Sequence, residues 1–277
     1  MNVMKLLPTL AIILFIPFST LLSNGQEVFQ SVSRYQSLAE SSVALSDCWS
    51  VFGNQAGLAG LNQLEFGGSF QNRFLLKELS IRAGVLVVPV QASVFAFSFY
   101  QFGETPFRQE KFGIAYSRYL FPQIRIGFQF NYHRLFLSED HRSAGSSGME
   151  IGMQYLPNQK LVLGIHVENP YQTGIKTLSG NFSYPSLIKF GAFYHLSTSF
   201  RIISEIENDF GNRFIARTGL EYVVLDKFFL RTGISGKPYQ LSGGIGFQLK
   251  KLVVDMAVSY NQYLGNSPSV SFQYRFR

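Results

Sequence analysis

The sequence contains little cysteine and little charge. A single cysteine, Cys48, among 277 residues excludes both an internal disulfide and a cysteine-based zinc or iron-sulfur site, and we expect a buried structural thiol. Charged residues make up 15% of the chain, whereas about a quarter is usual in water-soluble domains. Aromatic residues are abundant instead, with 28 Phe and 14 Tyr. The composition indicates a folded chain with much of its surface turned away from water.

Long apolar runs are also missing from most of the chain. Beyond residue 63 no unbroken apolar run reaches the roughly 18 residues that a membrane-spanning helix needs, so helical spans are excluded there. The one long apolar stretch is Leu6–Leu22, which follows Lys5. A basic start, an apolar stretch and small residues after it are the parts of a secretory signal peptide. We therefore predict a signal peptide over 1–25, cleaved after Gly25.

The apolar residues of the remaining chain recur with a period of two. The pattern is clearest over 124–133, 148–155 and 252–261, where apolar or aromatic residues alternate with polar residues or glycine. Successive side chains of a β-strand point to opposite faces, so one face of each strand meets an apolar environment and the other a polar one. A soluble β fold would carry many charges on its exposed face. Here the polar positions are often Gly, Ser, Ala or Gln, which favours a membrane barrel.

The same alternation predicts fourteen strands of about ten residues, the length of a tilted strand that crosses a bilayer. Their centres lie near residues 67, 82, 96, 115, 129, 152, 164, 191, 204, 219, 231, 245, 256 and 272. Short turns alternate with longer loops, and we predict the longer loops at 101–109, 138–147, 169–185, 208–212, 235–239 and 262–268. Outer-membrane barrels show this asymmetry, with the short turns on the periplasmic side.

The predicted fold class is all-β. Because lipid does not tolerate an unpaired sheet edge, we expect a closed antiparallel transmembrane β-barrel of about fourteen strands, spanning residues 63–277. The predicted location is the outer membrane of a Gram-negative bacterium. The aromatic residues fall on the face turned to outer-membrane lipid, where they act as membrane anchors, so the mildly basic charge does not indicate nucleic-acid binding.

Ionisable residues fall on the inward face of the predicted strands. A charge on the lipid face costs about 2–4 kcal/mol near the bilayer midplane, so these residues are expected to line the lumen. Opposite charges on neighbouring strands favour ion pairs, such as Glu205 with Arg217 and Glu221 with Arg231; a polar pore lining is the alternative. The candidate lumen ion-pair residues are Glu150, Glu205, Arg217, Glu221, Arg231 and Asp255.

The segment before the barrel, residues 26–62, does not alternate. Small residues with scattered apolar residues favour short helical turns, and a barrel of fourteen strands has a lumen wide enough to need filling. The sequence therefore predicts an N-terminal plug over 26–62.

This segment resembles the N-terminal signature of the long-chain fatty-acid transporter superfamily of outer-membrane proteins, which includes the PorV-like proteins of type IX secretion. The signature is an Arg, then Val-Ala-Leu, an Asp and Asn-Pro-Ala-Gly-Leu, and it matches Arg34, 43–45, Asp47 and 54–58, with Gln55 in place of the usual Pro. The C-terminal stretches resembling PorV-like chains are 230–233, 243–247, 254–257 and 264–265. The resemblance implies a gating plug, with candidate residues Arg34, Asp47, Trp49, Asn54, Gly57 and Leu58.

The sequence shows no pattern typical of an enzyme. Of the four histidines, His133, His166 and His195 fall on different predicted strands, and His141 lies in a loop near Ser143. A nucleophile needs a histidine base that a third group orients, and loop His and Ser residues are usually solvated. No two histidines share a strand face at ligand spacing. We therefore predict no catalytic residue, no metal site, no cofactor and no enzyme.

The resemblance implies two functions of different class. The main prediction is a PorV-like accessory of type IX protein secretion that binds exported proteins or a translocon, because the C-terminal resemblance is to those chains and the loops are short. The alternative is an uptake channel for small hydrophobic molecules such as fatty acids. The loop residues Tyr171, Phe182 and Tyr184 would form a docking surface in the first case and a ligand mouth in the second.

Overall fold

The computed structural model describes residues 32–137, 142–177, 180–210, 214–236 and 239–276. For residues 142, 176–177 and 180–182 it describes the backbone without the side chain. The predicted signal peptide and residues 26–31 of the predicted plug lie outside the described residues. No helix within the described ranges is long and apolar enough to cross a membrane.

Within these ranges, fourteen strands form one closed antiparallel barrel in which the first strand pairs with the last. This confirms the predicted fold class. The barrel strands are β1 (Glu65–Asn72), β2 (Ser80–Val90), β3 (Ser93–Glu104), β4 (Phe107–Phe121), β5 (Ile124–Leu137), β6 (Arg142–Asn158), β7 (Leu161–Glu168), β10 (Leu187–His195), β11 (Phe200–Asp209), β12 (Phe214–Val224), β13 (Phe228–Ser235), β14 (Gln240–Leu249), β15 (Leu252–Asn261) and β16 (Gly265–Arg275). The two short strands β8 (Gly174–Thr177) and β9 (Gly180–Ser183) pair only with each other.

The two faces of the barrel wall differ as the alternation predicts. On β5, Phe130 is 68% exposed on the outer surface, whereas its neighbour Gln129 is fully buried in the lumen. The same contrast separates Met256 from Asp255 on β15, which are 50% and 4% exposed. On these strands apolar side chains therefore form the outer surface and polar side chains point into the interior, the arrangement that a barrel in lipid requires.

The predicted loop 101–109 and residues 142–147 of the predicted loop 138–147 are wrong as loops, and residues 138–141 lie outside the described residues. β3 and β4 stay paired up to Glu104 and Phe107, and β5 and β6 stay paired up to Leu137 and Arg142. β6 is consequently 17 residues long. Where a ladder extends beyond the lipid both faces can meet water, so the alternation that marks the spanning part fades although pairing continues. The predicted loop 169–185 contains the β8–β9 hairpin, which the sequence analysis did not find.

The segment 32–62 lies inside the barrel. It contains the helices α1 (Ser33–Ser37) and α2 (Ser50–Gly53) and a 3-10 helix over Gln55–Gly60. α1 contacts β13 to β16, whereas the 3-10 helix contacts β3 to β6 on the opposite wall. A buried cluster of side chains, including Tyr35, Leu38, Leu45, Trp49 and Leu58, joins these elements to one another and to the wall. We call residues 32–62 the plug.

Cys48 lies in this cluster and is fully buried. Burial raises the pKa of its thiol well above the ordinary value, because the thiolate would lose its hydration. The expected structural thiol is therefore where the sequence analysis placed it, inside the plug.

The two ends of the barrel differ. At the turn end lie both termini of the barrel, Glu65 and Arg275, and short connections such as 91–92, 122–123 and 159–160. At the loop end lie the longer segments 73–79 and 169–186. By the asymmetry of bacterial outer-membrane barrels, we assign the turn end to the periplasm and the loop end to the exterior.

Candidate functional site

A cavity of about 490 Å³ opens at the loop end of the lumen. Its walls come from the upper parts of β3 to β7, from segment 73–79 and from the loop that ends at Pro185. The apolar and aromatic lining residues are Phe74, Leu79, Tyr100, Phe102, Phe107, Met149, Tyr184, Pro185 and Leu264; the polar ones used below are Lys111, Asn131, His133, Glu150 and Glu168. We call this space the outer cavity.

The loop residues that cover the outer cavity are held by specific contacts. The Phe74 backbone has a left-handed φ of 53°, its N–H donates to Ser267 Oγ at 3.0 Å, and the Arg73 guanidinium stacks over its ring at 4.8 Å. On the opposite side, the Asn169 side-chain amide donates to the Tyr184 carbonyl at 2.9 Å. These contacts fix the segments 73–79 and 169–186 at the same mouth, although 90 positions separate their nearest ends in the chain.

Of the predicted loop residues Tyr171, Phe182 and Tyr184, the structure places Tyr184 at the outer cavity. Its ring lies 4.1 Å from the His133 ring, centre to centre, at an angle of 33°. Burial raises the pKa of the Tyr184 hydroxyl to about 12, so the group is neutral at any ordinary pH. Tyr171 is 74% exposed and does not line the cavity. The side chain of Phe182 lies outside the described residues.

The floor of the outer cavity is polar and centres on Glu150. Its carboxylate accepts hydrogen bonds from Lys111 Nζ at 3.0 Å, Asn131 Nδ2 at 2.7 Å and Gln55 Nε2 at 2.6 Å, and His166 Nε2 lies at 3.2 Å. Since Gln55 belongs to the plug, the floor joins the plug to the wall. The side chain of Glu150 is 2% exposed, so these contacts compensate a buried charge.

On the other wall, a second polar cluster ties α1 to the barrel. Arg34 donates to Asp47 at 2.7 Å and reaches Glu221 at 3.4 Å. Glu221 also accepts from Arg201 at 2.8 Å and from Arg231 at 2.7 Å. A further bond at 2.6 Å joins Arg231 to Asp255. Because the cluster joins two plug residues to β11, β12, β13 and β15, it couples the plug's position to several strands at once.

Glu205 forms a third anchor between the plug and the wall. Its Oε2 accepts the backbone N–H groups of Ser42 and Val43 at 2.8 and 2.9 Å. Arg217, directly opposite on β12, lies 3.5 Å from Glu205 and 3.0 Å from Glu207. The pairs named from the sequence, Glu205 with Arg217 and Glu221 with Arg231, thus both occur, and each acidic partner also holds the plug.

Asn54 connects the plug to itself and to the wall. Its side-chain oxygen accepts the N–H of Ala56 at 3.1 Å and so begins the 3-10 helix. Its amide nitrogen donates to the carbonyl of Val43 at 2.7 Å, and lies 3.2 Å from the wall carbonyls of Met153 and Ile165. The amide group therefore closes the plug on itself and against β6 and β7.

The remaining plug candidates, Trp49, Gly57 and Leu58, contribute to packing inside the barrel. Trp49 and Leu58 are buried in the apolar cluster, and Trp49 stacks on Phe52 at 6.3 Å. A side chain at Gly57 would collide with the carbonyl of Leu45. None of these residues lines the outer cavity. Their predicted role in gating stays a prediction.

A second cavity, of about 310 Å³, lies at the turn end. Arg34 and Asp47 of the plug line it together with Arg201, Arg231 and Asp255. The plug therefore lies between an aromatic-walled cavity on the outer side and a charged cavity on the periplasmic side.

The sequence analysis missed most of the outer cavity. Lys111, Tyr100 and Phe74 were not singled out, because Lys111 lies near the end of the predicted strand centred on residue 115 and Phe74 belongs to a segment without periodicity. The inward parity of β4, counted from Ser117 and Ala115, places Lys111 in the lumen.

Comparison with known proteins identifies the fold. No protein-family model matches the chain, and no curated protein sequence matches it. Three similar solved structures are the CymD monoaromatic hydrocarbon channel, a Pseudomonas aeruginosa FadL homologue and the Ralstonia pickettii toluene transporter TbuX, with TM-scores of 0.70, 0.66 and 0.63. Each match covers 90% of this chain and at least 98% of the other, at 12, 13 and 12% identity. The chain therefore shares the fold of outer-membrane channels and transporters.

Proposed function

We propose that the protein is an outer-membrane uptake channel for small hydrophobic molecules. The observation that carries this proposal is the outer cavity, an aromatic-walled space at the loop end directly above the plug. Its volume of about 490 Å³ falls within the range of about 300–1,000 Å³ typical of small-molecule sites. Such walls stabilise an apolar molecule by about 25 cal/mol for each Å² of apolar surface removed from water.

The position of the plug gives the channel its closed state. A molecule in the outer cavity lies against the contact between Gln55 and Glu150 and can reach the turn-end cavity only if the plug shifts. The anchors at Glu205, Glu221 and Glu150 are hydrogen bonds and ion pairs, which water can replace one by one. We infer that ligand passage involves a limited displacement of the plug.

The printed names of the similar structures support a channel role. They describe a monoaromatic hydrocarbon channel and a toluene transporter, and this chain has their fold over 90% of its length. The sequence analysis favoured an accessory role in type IX secretion on the basis of C-terminal resemblance. Neither the outer cavity nor these structures supports that role, and both support the alternative that the sequence analysis left open.

Filling the outer cavity should abolish most of the activity. Gly148 lines the cavity, and a Cβ placed on it would lie 3.1 Å from His133 Nε2. A Gly148→Leu substitution puts an isobutyl group into the space that the ligand needs, so the ligand loses contact with part of the cavity wall. We expect binding of radiolabelled ethylbenzene to the purified barrel, and its uptake by cells producing the barrel, to fall about tenfold.

The matched control is Gly84→Leu. Gly84 lies on the outer face of β2, where the nearest atom to an added Cβ is 3.9 Å away, so the same side chain would point into lipid. Both variants should keep the difference in electrophoretic mobility between heated and unheated samples that marks a folded barrel. Wild-type ethylbenzene binding by a folded Gly148→Leu protein would contradict the proposed function.

A further inference from the structure

The proposed function leaves open which hydrophobic molecules enter, and the floor of the outer cavity bears on this. We propose that the cavity selects molecules with an apolar body and one hydrogen-bond-donating head, an alcohol or a protonated amine, and rejects carboxylates. The inference rests on the proposed function and adds a substrate class to it.

The charges at the floor do not balance. Lys111 Nζ lies 3.0 Å from Glu150 and 3.7 Å from Glu168, so one cation serves two carboxylates. Glu150 and Glu168 are directly opposite each other on β6 and β7. His166 approaches only Glu150 among these groups. Among Lys111, Glu150 and Glu168, one cation therefore faces two carboxylates.

Glu168 holds the unused hydrogen-bonding capacity. Within the described residues the only ion-pair partner shown for its carboxylate is Lys111, at the long distance of 3.7 Å. Its side chain is 14% exposed and lines the outer cavity, whereas Glu150 is 2% exposed and already has four polar neighbours. A carboxylate offers about four acceptor positions, so Glu168 can still accept hydrogen bonds from a ligand.

The other charged groups that line the cavity have contacts of their own. Glu110 is 3.0 Å from Arg108 and 3.8 Å from Arg134. Arg73 belongs to the segment at the mouth and stacks on the ring of Phe74. At the deep end of the cavity Glu168 is therefore the carboxylate that a ligand can reach, and Lys111 there already contacts Glu150.

This arrangement favours ligand heads that donate hydrogen bonds over heads that carry a negative charge. A donor head at the floor gains a charge-assisted hydrogen bond to Glu168, which is stronger than a bond between neutral groups. A carboxylate there would face two like charges in a partly dehydrated space, where repulsion is larger than in bulk water. The apolar body of either ligand meets the same walls, among them Tyr100, Phe102 and Phe107.

The test is a set of ligands with one body and different heads. Ethylbenzene, phenylethanol, phenylethylamine and phenylacetate are titrated into the purified full-length barrel in lipid nanodiscs, and binding is measured by calorimetry against empty nanodiscs. We expect phenylethylamine and phenylethanol to bind about tenfold more tightly than ethylbenzene, and phenylacetate to bind more weakly than ethylbenzene.

Substitution of Glu168 tests whether this residue causes the preference for hydrogen-bond-donating heads. Glu168→Gln removes the charge and keeps the shape, so phenylethylamine should lose about tenfold in affinity relative to ethylbenzene. The control is Glu78→Gln, which removes the same charge from an exposed position at the same end, outside the cavity lining. That variant should keep the wild-type order of affinities.

The outcomes separate the two proposals. Saturable binding of ethylbenzene together with equal or tighter binding of phenylacetate would overturn the selectivity and leave the channel function standing. A preference for phenylethylamine over ethylbenzene that persists undiminished in Glu168→Gln would also overturn it. If none of the four molecules binds above the empty nanodiscs, the proposed function fails as well.

Discussion

Alanine at positions 127 and 164 is expected to push the plug away from the barrel wall and let ions through the lumen. Both glycines face inward, where the plug backbone touches the wall. A methyl group on Gly127 would collide with the backbone nitrogen of Ala56, and one on Gly164 with the carbonyl of Val43. Backbone cannot move aside as the end of a flexible side chain can, so the plug itself must shift.

The measurement is single-channel conductance in planar lipid bilayers. The Gly127→Ala/Gly164→Ala protein should show a conductance several times that of the wild type. Trp49, the single tryptophan of the chain, lies in the plug and is 1% exposed, so its fluorescence reports on the plug directly. We expect its emission to shift to longer wavelength in the double variant.

The control places the same two methyl groups on the outer face. In Gly84→Ala/Gly243→Ala the nearest atoms to the new Cβ atoms lie at 3.9 and 3.7 Å, so neither plug nor wall needs to move. This protein should match the wild type in conductance and emission. A folded Gly127→Ala/Gly164→Ala barrel with wild-type conductance would show that close contact at these glycines does not keep the lumen shut.

Replacing Glu221 by glutamine is expected to lower the free energy of unfolding of the barrel strongly. Its carboxylate is 1% exposed and lies within 3.4 Å of the guanidinium groups of Arg34, Arg201 and Arg231. Removing one member of a buried ion cluster leaves the others uncompensated, and this costs about 3–5 kcal/mol. We expect the free energy of unfolding, measured by urea titration in lipid vesicles, to fall by about 3 kcal/mol.

An exposed ion pair of the same barrel is the comparison. Glu104 pairs with Arg82 near the loop end, and their side chains are 31% and 46% exposed. Water already solvates both groups, so Glu104→Gln should leave the unfolding free energy unchanged within error. Equal losses for Glu221→Gln and Glu104→Gln would mean that water reaches the Glu221 cluster freely and that it does not anchor the plug.

The pairing of Glu205 with Arg217 and of Glu221 with Arg231 could be predicted because both are local. Each pair joins neighbouring strands of one hairpin, so counting outward from the turn places the partners opposite each other. The surroundings of Glu150 could not be found this way. Asn131 and His166 come from the neighbouring strands β5 and β7, but Lys111 comes from β4 and Gln55 from the plug, 95 positions away, and no hairpin register relates these last two to Glu150.

The same distinction between local and long-range contacts explains why the outer cavity could not be predicted. Tyr184 was identified as an apolar loop residue, but its place beside His133 and across from Phe74 follows from how three separate segments meet at the barrel mouth. The loop predictions failed at 101–109 and 142–147 for a related reason. Outside the bilayer the alternation of side chains no longer reports on strand pairing, whereas backbone hydrogen bonding continues.

The sequence by itself determined the closed barrel, its fourteen strands and, where apolar and polar residues alternate, the direction of the spanning side chains. It could do so because lipid demands an apolar outer face at every second residue and permits no unpaired edge. Only the tertiary structure decided where the plug contacts the wall, that an aromatic-walled cavity remains above it, and that Glu168 faces this cavity with a shared cation. These features depend on distances between residues far apart in the chain, which the period of a strand does not encode.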